Sequence, residues 1–238
     1  MNNKLRDIEI SRNFLDNPAG SVLIKMGRTK IICTAMIEEG VPFFLKGKNE
    51  GWLTAEYSML PGSTIRRKVR ESSRQRIEGR THEIQRLIGR SLRAGIDLKK
   101  LGERTVWIDC DVIQADGGTR TASIIGGFIA MADAVDSLYR RGLIKENPIK
   151  NYVAAVSVGL SKEGTILDMC YKEDFRAIVD MNIVMTDSGE FIEVQGTGEE
   201  ASFSRQELNE ILDVAEEGIK EIIGLQKEVL STNEIMKL

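Results

Sequence analysis

The chain of 238 residues has a single histidine, His82, and this scarcity excludes two common classes of site. A Ser-His-Asp triad needs a histidine as its base, and a histidine-based zinc site needs more than one such ligand. We therefore expect neither of them here. A reaction whose nucleophile is already an anion would need no histidine base.

Cysteine is also scarce. Cys33, Cys110 and Cys170 are widely spaced, and each lies in an apolar segment that resembles a strand. This pattern favours buried free thiols in a reducing compartment over disulfides or a metal cluster. The N-terminal segment lacks the apolar core of a signal peptide, and no apolar run reaches the roughly 18 residues that a membrane span needs. We expect a cytoplasmic protein that binds no membrane.

The net charge of −3 conceals an uneven distribution of charged residues. Segment 61–93 has ten basic residues, nine of them arginine, against three acidic ones, so it carries +7 and the rest of the chain carries −10. Arginine binds phosphate oxygens in a bidentate geometry. The segment therefore favours a polyanionic partner, with nucleic acid as the leading candidate. A solvated helix face or a subunit contact remains the alternative.

Strand-like segments precede helix-like segments in both halves of the chain, which predicts an α+β fold. No repeat or low-complexity linker divides the sequence, so we expect a single domain over residues 1–238. Segment 61–79 has no sustained apolar period and is predicted to be a long exposed loop. Amphipathic or apolar helices are predicted at 80–98, 122–138 and 204–230, and strands at 21–26, 29–37, 51–59, 106–113, 152–160, 165–171, 177–185 and 190–195.

Paired glycines, Gly117 and Gly118, lie between the predicted strand 106–113 and the helix that follows. Glycines let a backbone turn tightly and approach a ligand closely. A helix start offers unpaired N–H groups and a positive dipole end, which suit an anion, and Arg120 adds donors matched to phosphate. The turn therefore predicts a phosphate site, unless Thr119 or Thr121 simply caps the helix. It is neither a P-loop nor a dinucleotide fingerprint.

Two aspartates form the second candidate site. Asp180 lies in an apolar strand, where a carboxylate needs a cation or a metal as partner. Asp174 would reach it only if the chain turned between residues 172 and 175, and Asp168 is the rival partner. Such a pair would suit Mg²⁺, which takes one or two carboxylates plus waters and substrate phosphates. Ordinary hairpin acids are the alternative interpretation.

Several long motifs in this sequence resemble the bacterial ribonuclease PH family, in the same order along the chain. They are GWLTAEYSMLP at 51–61, GRT at 79–81, EIQRLIGR at 83–90, IDCDVIQADGGTRT at 108–121 and VQGTGEE at 194–200. The likeness extends over nearly the whole chain, from about residue 5 to residue 225.

The resemblance implies a phosphorolytic 3′-to-5′ exoribonuclease that trims the 3′ end of tRNA precursors. Inorganic phosphate, the co-substrate, attacks the terminal phosphodiester and releases a nucleoside 5′-diphosphate. The family pattern assigns phosphate binding to Arg80, Gly118, Thr119 and Arg120. It assigns catalysis and the metal, Mg²⁺ or Mn²⁺, to Asp174 and Asp180.

The resemblance also implies an RNA partner, an assembly and a fold. The arginine-rich loop is expected to bind tRNA and other structured RNA 3′ ends and to make oligomer contacts in a homohexamer, a trimer of dimers. The implied fold is the α+β fold of the second domain of a small-subunit ribosomal protein. It has mixed and antiparallel sheets packed against helices and a left-handed βαβ crossover, against the usual rule. The residues assigned to RNA binding are Arg66, Arg67, Arg70, Arg74 and Arg76.

The chain departs from the family pattern at several positions. Members usually begin with a further Arg-x-Asp-Gly-Arg segment, so a basic N-terminal contact is expected to be missing. Phe43 stands where proline is expected, Asn49 and Gln75 where glycine is expected, and Ile125 where threonine is expected. None of these substitutions touches the side chains of Arg80, Arg120, Asp174 or Asp180, but they bear on rate and assembly.

Two other functions compete with phosphorolysis. A non-catalytic RNA-binding subunit of the same fold would generally lack the phosphate arginines or the aspartates, and this chain has both. A small-molecule kinase of a related fold would need a longer nucleotide-binding loop and would give the arginine-rich loop no role.

Overall fold

Two β-sheets enclose a long apolar helix in the computed structural model, which describes residues 4–74, 76–198 and 201–237, without the side chain of Arg74. The first sheet contains β1 (Ile8–Arg12), β2 (Gly20–Met26), β3 (Thr29–Glu39), β4 (Trp52–Met59) and β5 (Arg104–Gln114). The second contains β6 (Val153–Ser161), β7 (Gly164–Leu167), β8 (Val179–Thr186) and β9 (Phe191–Gly198). The helices are α1 (Gly79–Ala94), α2 (Leu98–Leu101), α3 (Thr119–Arg140), α4 (Tyr171–Asp174) and α5 (Arg205–Leu230).

The sheets have the mixed and antiparallel character that was expected. The first sheet has the order β1-β2-β3-β5-β4, and its β4–β5 pair is parallel while its other pairs are antiparallel. The second sheet, β7-β6-β8-β9, is antiparallel throughout. A parallel pair needs a crossover, which here runs through α1 and α2. The α+β fold is thus confirmed, and the left hand of the crossover stays an expectation.

Helix α3 lies at the centre of the core. It packs against β2 and β3 of the first sheet and against β6 of the second, while α5 covers β6, β7 and β8. Among the described helices α3 alone is long and apolar enough to cross a membrane, and 94% of its 18-residue apolar window is buried within the protein. That burial is typical of a core helix. One cluster of buried side chains includes residues of both sheets, and the single domain stays a prediction.

Several predicted boundaries were wrong for local reasons. Strand β1 was missed because it is a short edge strand with alternating exposure. The predicted strand 165–171 ends at Leu167, because Asp168 takes a left-handed backbone with φ of 53° and turns the chain into α4. The predicted helix 80–98 stops at Ala94, before Gly95. Helix α3 begins at Thr119 rather than at residue 122, because Gly118 is its N-cap.

The departures from the family pattern lie away from the core, with one exception. Phe43 is 93% exposed in a 3-10 turn before β4, and Asn49 has a φ of 53°, which asparagine tolerates better than most residues. Ile125 is fully buried in α3. Gln75 lies outside the described residues.

Two of the three cysteines match their prediction. Cys33 and Cys110 face each other across β3 and β5 as buried free thiols. Cys170 was wrongly placed in a strand, since it is half-buried at the N-cap of α4. The hydrogen bond with Cys110 and burial raise the pKa of the Cys33 thiol, which keeps it protonated.

Candidate active site

The turn between β5 and α3 is built so that only glycine fits. Gly117 and Gly118 have φ values of 78° and 61°. A Cβ on Gly117 would lie 2.4 Å from the carbonyl oxygen of Met169, and one on Gly118 would lie 2.9 Å from Nη2 of Arg6. The first intrahelical hydrogen bond of α3 runs from Ala122 N to Gly118 O. The backbone N–H groups that precede Ala122 have no acceptor within the helix, so they suit an anion.

The turn opens into a cleft of about 440 Å³. All six residues predicted to bind phosphate or to carry catalysis line it, which brings together the glycine turn and parts of α1, α3, α4 and β8. The cleft-lining residues are Tyr57, Met59, Thr64, Lys68, Arg80, Ala115, Gly117, Gly118, Thr119, Arg120, Ser157, Met169, Tyr171, Asp174, Asp180 and Asn182.

Arg120 is held in a fixed orientation at one wall of the cleft. Its Nη1 donates to Glu83 Oε1 at 3.3 Å and to Gln195 Oε1 at 2.5 Å, and Gln195 Nε2 donates to the same Glu83 oxygen at 3.0 Å. The side chain is 14% exposed. Both contacts use Nη1, and a guanidinium has further N–H donors on Nη2 and Nε. Glu83 and Gln195 therefore fix the orientation of the Arg120 guanidinium, which would attract a phosphate.

The sequence left open that Thr119 or Thr121 simply caps α3. In the structure Gly118 is the N-cap, and neither threonine side chain caps the helix. The hydroxyl of Thr119 lies 2.9 Å from the Tyr57 hydroxyl, and Thr121 Oγ1 donates to Gly118 O. Burial raises the pKa of Tyr57, while Thr119 and the charges of Arg80 and Arg120 act in the opposite direction. Tyr57 thus stays a neutral phenol between the two arginines.

An ion pair braces the glycine turn against the second half of the chain. Arg6 Nη2 and Nε donate to the two oxygens of Asp168 at 2.6 and 2.9 Å, and the Arg6 backbone N–H adds a third bond at 3.1 Å. Arg6 Nη1 donates to Asp116 O at 2.7 Å. The Asp168 side chain is fully buried. Asp168 is therefore bound to Arg6, and it does not line the cleft that Asp174 and Asp180 share.

Asp174 and Asp180 both line the cleft, because α4 turns the chain where a turn was required. Asp180 lies in β8, opposite Gly159 of β6 and Thr197 of β9. In the part of the chain that the structure describes, no group of three or more His, Cys, Asp or Glu side chains forms a metal cage. Two carboxylates nevertheless fit Mg²⁺, which keeps several waters and is bound largely through substrate phosphates.

The described arginines of the arginine-rich loop lie beside the cleft rather than in it. Arg66, Arg67, Arg70 and Arg76 are exposed, and Lys68 is the basic loop residue that lines the cleft. Arg70 and Arg80 line an adjoining cavity. Arg74 has no described side chain. The loop offers positive charge next to the entrance, as a polyanion would require.

Sequence reasoning missed most of the residues that hold the site together. Tyr57 could have been inferred, because it falls on the inward face of β4 and its hydroxyl needs a partner there. Gln195 lies within a quoted motif but carried no assigned role. The Arg6–Asp168 pair joins residues 162 positions apart, and no local pattern marks it.

Comparison with known proteins places both halves of the chain in one family. Residues 4–135 match the family described as 3′ exoribonuclease family, domain 1, and residues 151–218 match its domain 2. The chain is 60% identical over 235 residues to Ribonuclease PH of Bacillus pumilus, covering 98% of this chain and 96% of that protein. It is 61% identical over 228 residues to Ribonuclease PH of Bacillus subtilis, covering 95% and 93%.

Solved structures share the fold at low sequence identity. Rice Rrp46 aligns with a TM-score of 0.78 at 17% identity, covering 97% of each chain. A chain of the Archaeoglobus fulgidus exosome with RNA bound to the active site aligns with a TM-score of 0.77 at 18% identity, covering 94% of this chain and 89% of that one.

Proposed function

The chain belongs to the 3′ exoribonuclease family and is a phosphate-dependent 3′-to-5′ exoribonuclease, and on that premise we propose which residues carry the reaction and on which RNA. The observation that supports the assignment is the cleft itself. It brings the glycine turn, Arg80 and Arg120 to the same space as Asp174 and Asp180.

Inorganic phosphate is the nucleophile. Arg80, Arg120 and the N–H groups at the start of α3 bind it and align one oxygen with the terminal phosphodiester of the RNA. A new P–O bond forms, the bond to the preceding nucleotide's 3′ oxygen breaks, and that oxygen takes a proton. A nucleoside 5′-diphosphate leaves. Phosphoryl transfer depends mainly on positioning and charge neutralisation, so these donors serve without a histidine base.

Asp174 and Asp180 would hold Mg²⁺ or Mn²⁺ at the scissile phosphate, and the metal would supply a Lewis acid there. Without a neutralising charge two carboxylates beside an RNA phosphate would repel it. The carboxylates would therefore position the cation, while Arg80 and Arg120 neutralise the attacking phosphate.

The substrate proposed for the enzyme is the 3′ end of tRNA precursors and other structured RNA. The exposed arginines Arg66, Arg67, Arg70 and Arg76, with Arg74, would contact the RNA backbone next to the cleft. A homohexamer built from dimers and a cytoplasmic location complete the proposal. Two archaeal exosome structures each contain a chain of the same fold.

One incubation tests the activity. The protein is mixed with a 3′-extended tRNA precursor and Mg²⁺, with or without inorganic phosphate, and the released nucleotides are separated by chromatography. Nucleoside diphosphates should form only when phosphate is present. Nucleoside monophosphates would indicate hydrolysis, and binding of the precursor without any release would indicate a non-catalytic subunit.

A further inference from the structure

Two exposed aromatic rings stand at the rim of the cleft. Tyr171 and Phe175 are 54% and 79% exposed, and their ring centroids lie 6.4 Å apart with the planes tilted by 34°. They are four residues apart on the turn formed by α4 and its C-cap, which places them on one face. Large rings left this exposed beside an active cleft indicate a binding partner.

Tyr171 lies at the cleft that holds the reacting groups, and Phe175 lies farther out, in the neighbouring groove. Tyr171 lines the cleft together with Asp174 and Asp180, and its backbone nitrogen lies against the glycine turn, 2.8 Å from where a Cβ on Gly117 would be. Phe175 lines the next groove along the surface. An RNA strand that runs from the aspartates toward this groove would pass the two rings.

The groove beyond Phe175 has groups that suit an RNA backbone. Lys162, Lys172 and Arg176 line it, against two carboxylates. One of these, Glu173, accepts the N–H of Cys170 at 2.9 Å and so caps α4. Cations beside stacking rings are the combination that binds single-stranded nucleic acid without sequence preference.

We propose that Tyr171 and Phe175 form a stacking platform for the bases at the 3′ end of single-stranded RNA, with Lys172 and Arg176 contacting the phosphates beyond them. Stacking tolerates every base, since each has a π face, and an enzyme that removes successive nucleotides needs such tolerance. The inference rests on the proposed function and specifies how the RNA end is held in the cleft.

The test uses short single-stranded RNAs with 2-aminopurine as the second or the third base from the 3′ end, mixed with the full-length protein and Mg²⁺ in phosphate-free buffer. Without phosphate the RNA stays intact while it binds, and stacking of the fluorescent base on a ring quenches its emission. Tyr171→Leu and Phe175→Leu should abolish most of the quench and weaken RNA binding about fivefold or more. Tyr171→Phe and Phe175→Tyr keep a ring and should behave like the original protein.

Phe43→Leu is the matched control, because Phe43 is 93% exposed and does not line the cleft. It should leave quench and affinity unchanged. The KM for phosphate should also stay the same in both leucine variants. An unaltered quench in both leucine variants would overturn the stacking platform. A smaller assembly of Phe175→Leu on size-exclusion chromatography would also overturn it, because that result would place the ring in a subunit contact. Diphosphate release by the unsubstituted protein tests the proposed function separately. The stacking platform and the proposed function can therefore be refuted independently of each other.

Discussion

The substitution Asp168→Asn should lower the free energy of unfolding by about 3 kcal/mol. Removing one partner of a buried ion pair typically costs about 3–5 kcal/mol, because the other charge is left unpaired. Asp168 is fully buried and accepts three hydrogen bonds from Arg6, while Arg6 is 14% exposed, which places the expected cost near the lower end. Asparagine tolerates the φ of 53° at this position as aspartate does, so the substitution removes charge without adding backbone strain.

The measurement is equilibrium unfolding in urea at one fixed protein concentration, since assembly also stabilises the folded state. The matched control is Glu9→Gln, which breaks a pair of similar length, 2.7 Å to Lys25, with side chains 66% and 33% exposed. Solvent screens exposed pairs, so this variant should unfold at nearly the same urea concentration as the original protein. Adding Arg6→Met to Asp168→Asn should recover part of the loss, because the unpaired cation is gone.

The same substitution should raise the KM for phosphate more than it changes RNA binding. Arg6 Nη1 holds the Asp116 carbonyl next to the glycine turn, and an unpaired Arg6 would no longer fix that bond. If Asp168→Asn and Glu9→Gln lower the free energy of unfolding equally, the assignment of the ion pair as a brace is refuted.

The remaining predictions concern the reacting groups, the arginine-rich loop and the outer sheet. Asp180→Asn should abolish diphosphate release while RNA affinity stays near normal, and near-normal turnover would contradict the catalytic assignment. Arg120→Ala should raise the phosphate concentration needed for half-maximal rate far more than it weakens RNA binding; an unchanged phosphate dependence would exclude Arg120 from the phosphate site. Replacing Arg66 and Arg67 by glutamine should reduce the salt dependence of RNA binding by about one unit of slope per lost phosphate contact, with the KM for phosphate unchanged, and an unaltered slope would remove them from the RNA surface. Burial and the Glu56 carboxylate raise the pKa of Asp111 above 3.8, so its stabilising contribution is present below 3.8 and is lost as pH rises through the raised value. Asp111→Asn should therefore stabilise the protein near neutral pH in thermal unfolding, and a lower midpoint there would contradict this sign.

Periodicity predicted most of the secondary structure because local burial patterns are strong in this chain. Ile84, Leu87, Ile88 and Leu92 recur at helical spacing in the sequence, and all four are buried in α1. Buried and more exposed side chains alternate along most of β4, as the two faces of a strand require. The errors fall where a single backbone conformation overrides the pattern, as at Asp168, whose left-handed φ ends a strand that the apolar run would have continued.

The sequence by itself determined which chemistry is present: a glycine turn for an anion, arginines for phosphate, two aspartates and almost no histidine. Only the tertiary structure decided which of these groups meet. It paired both oxygens of Asp168 with Arg6, and it joined Arg120 to Gln195 across 75 positions. The physical reason is that these contacts depend on how two sheets pack around α3, and side chains far apart in the chain leave no local pattern of their pairing.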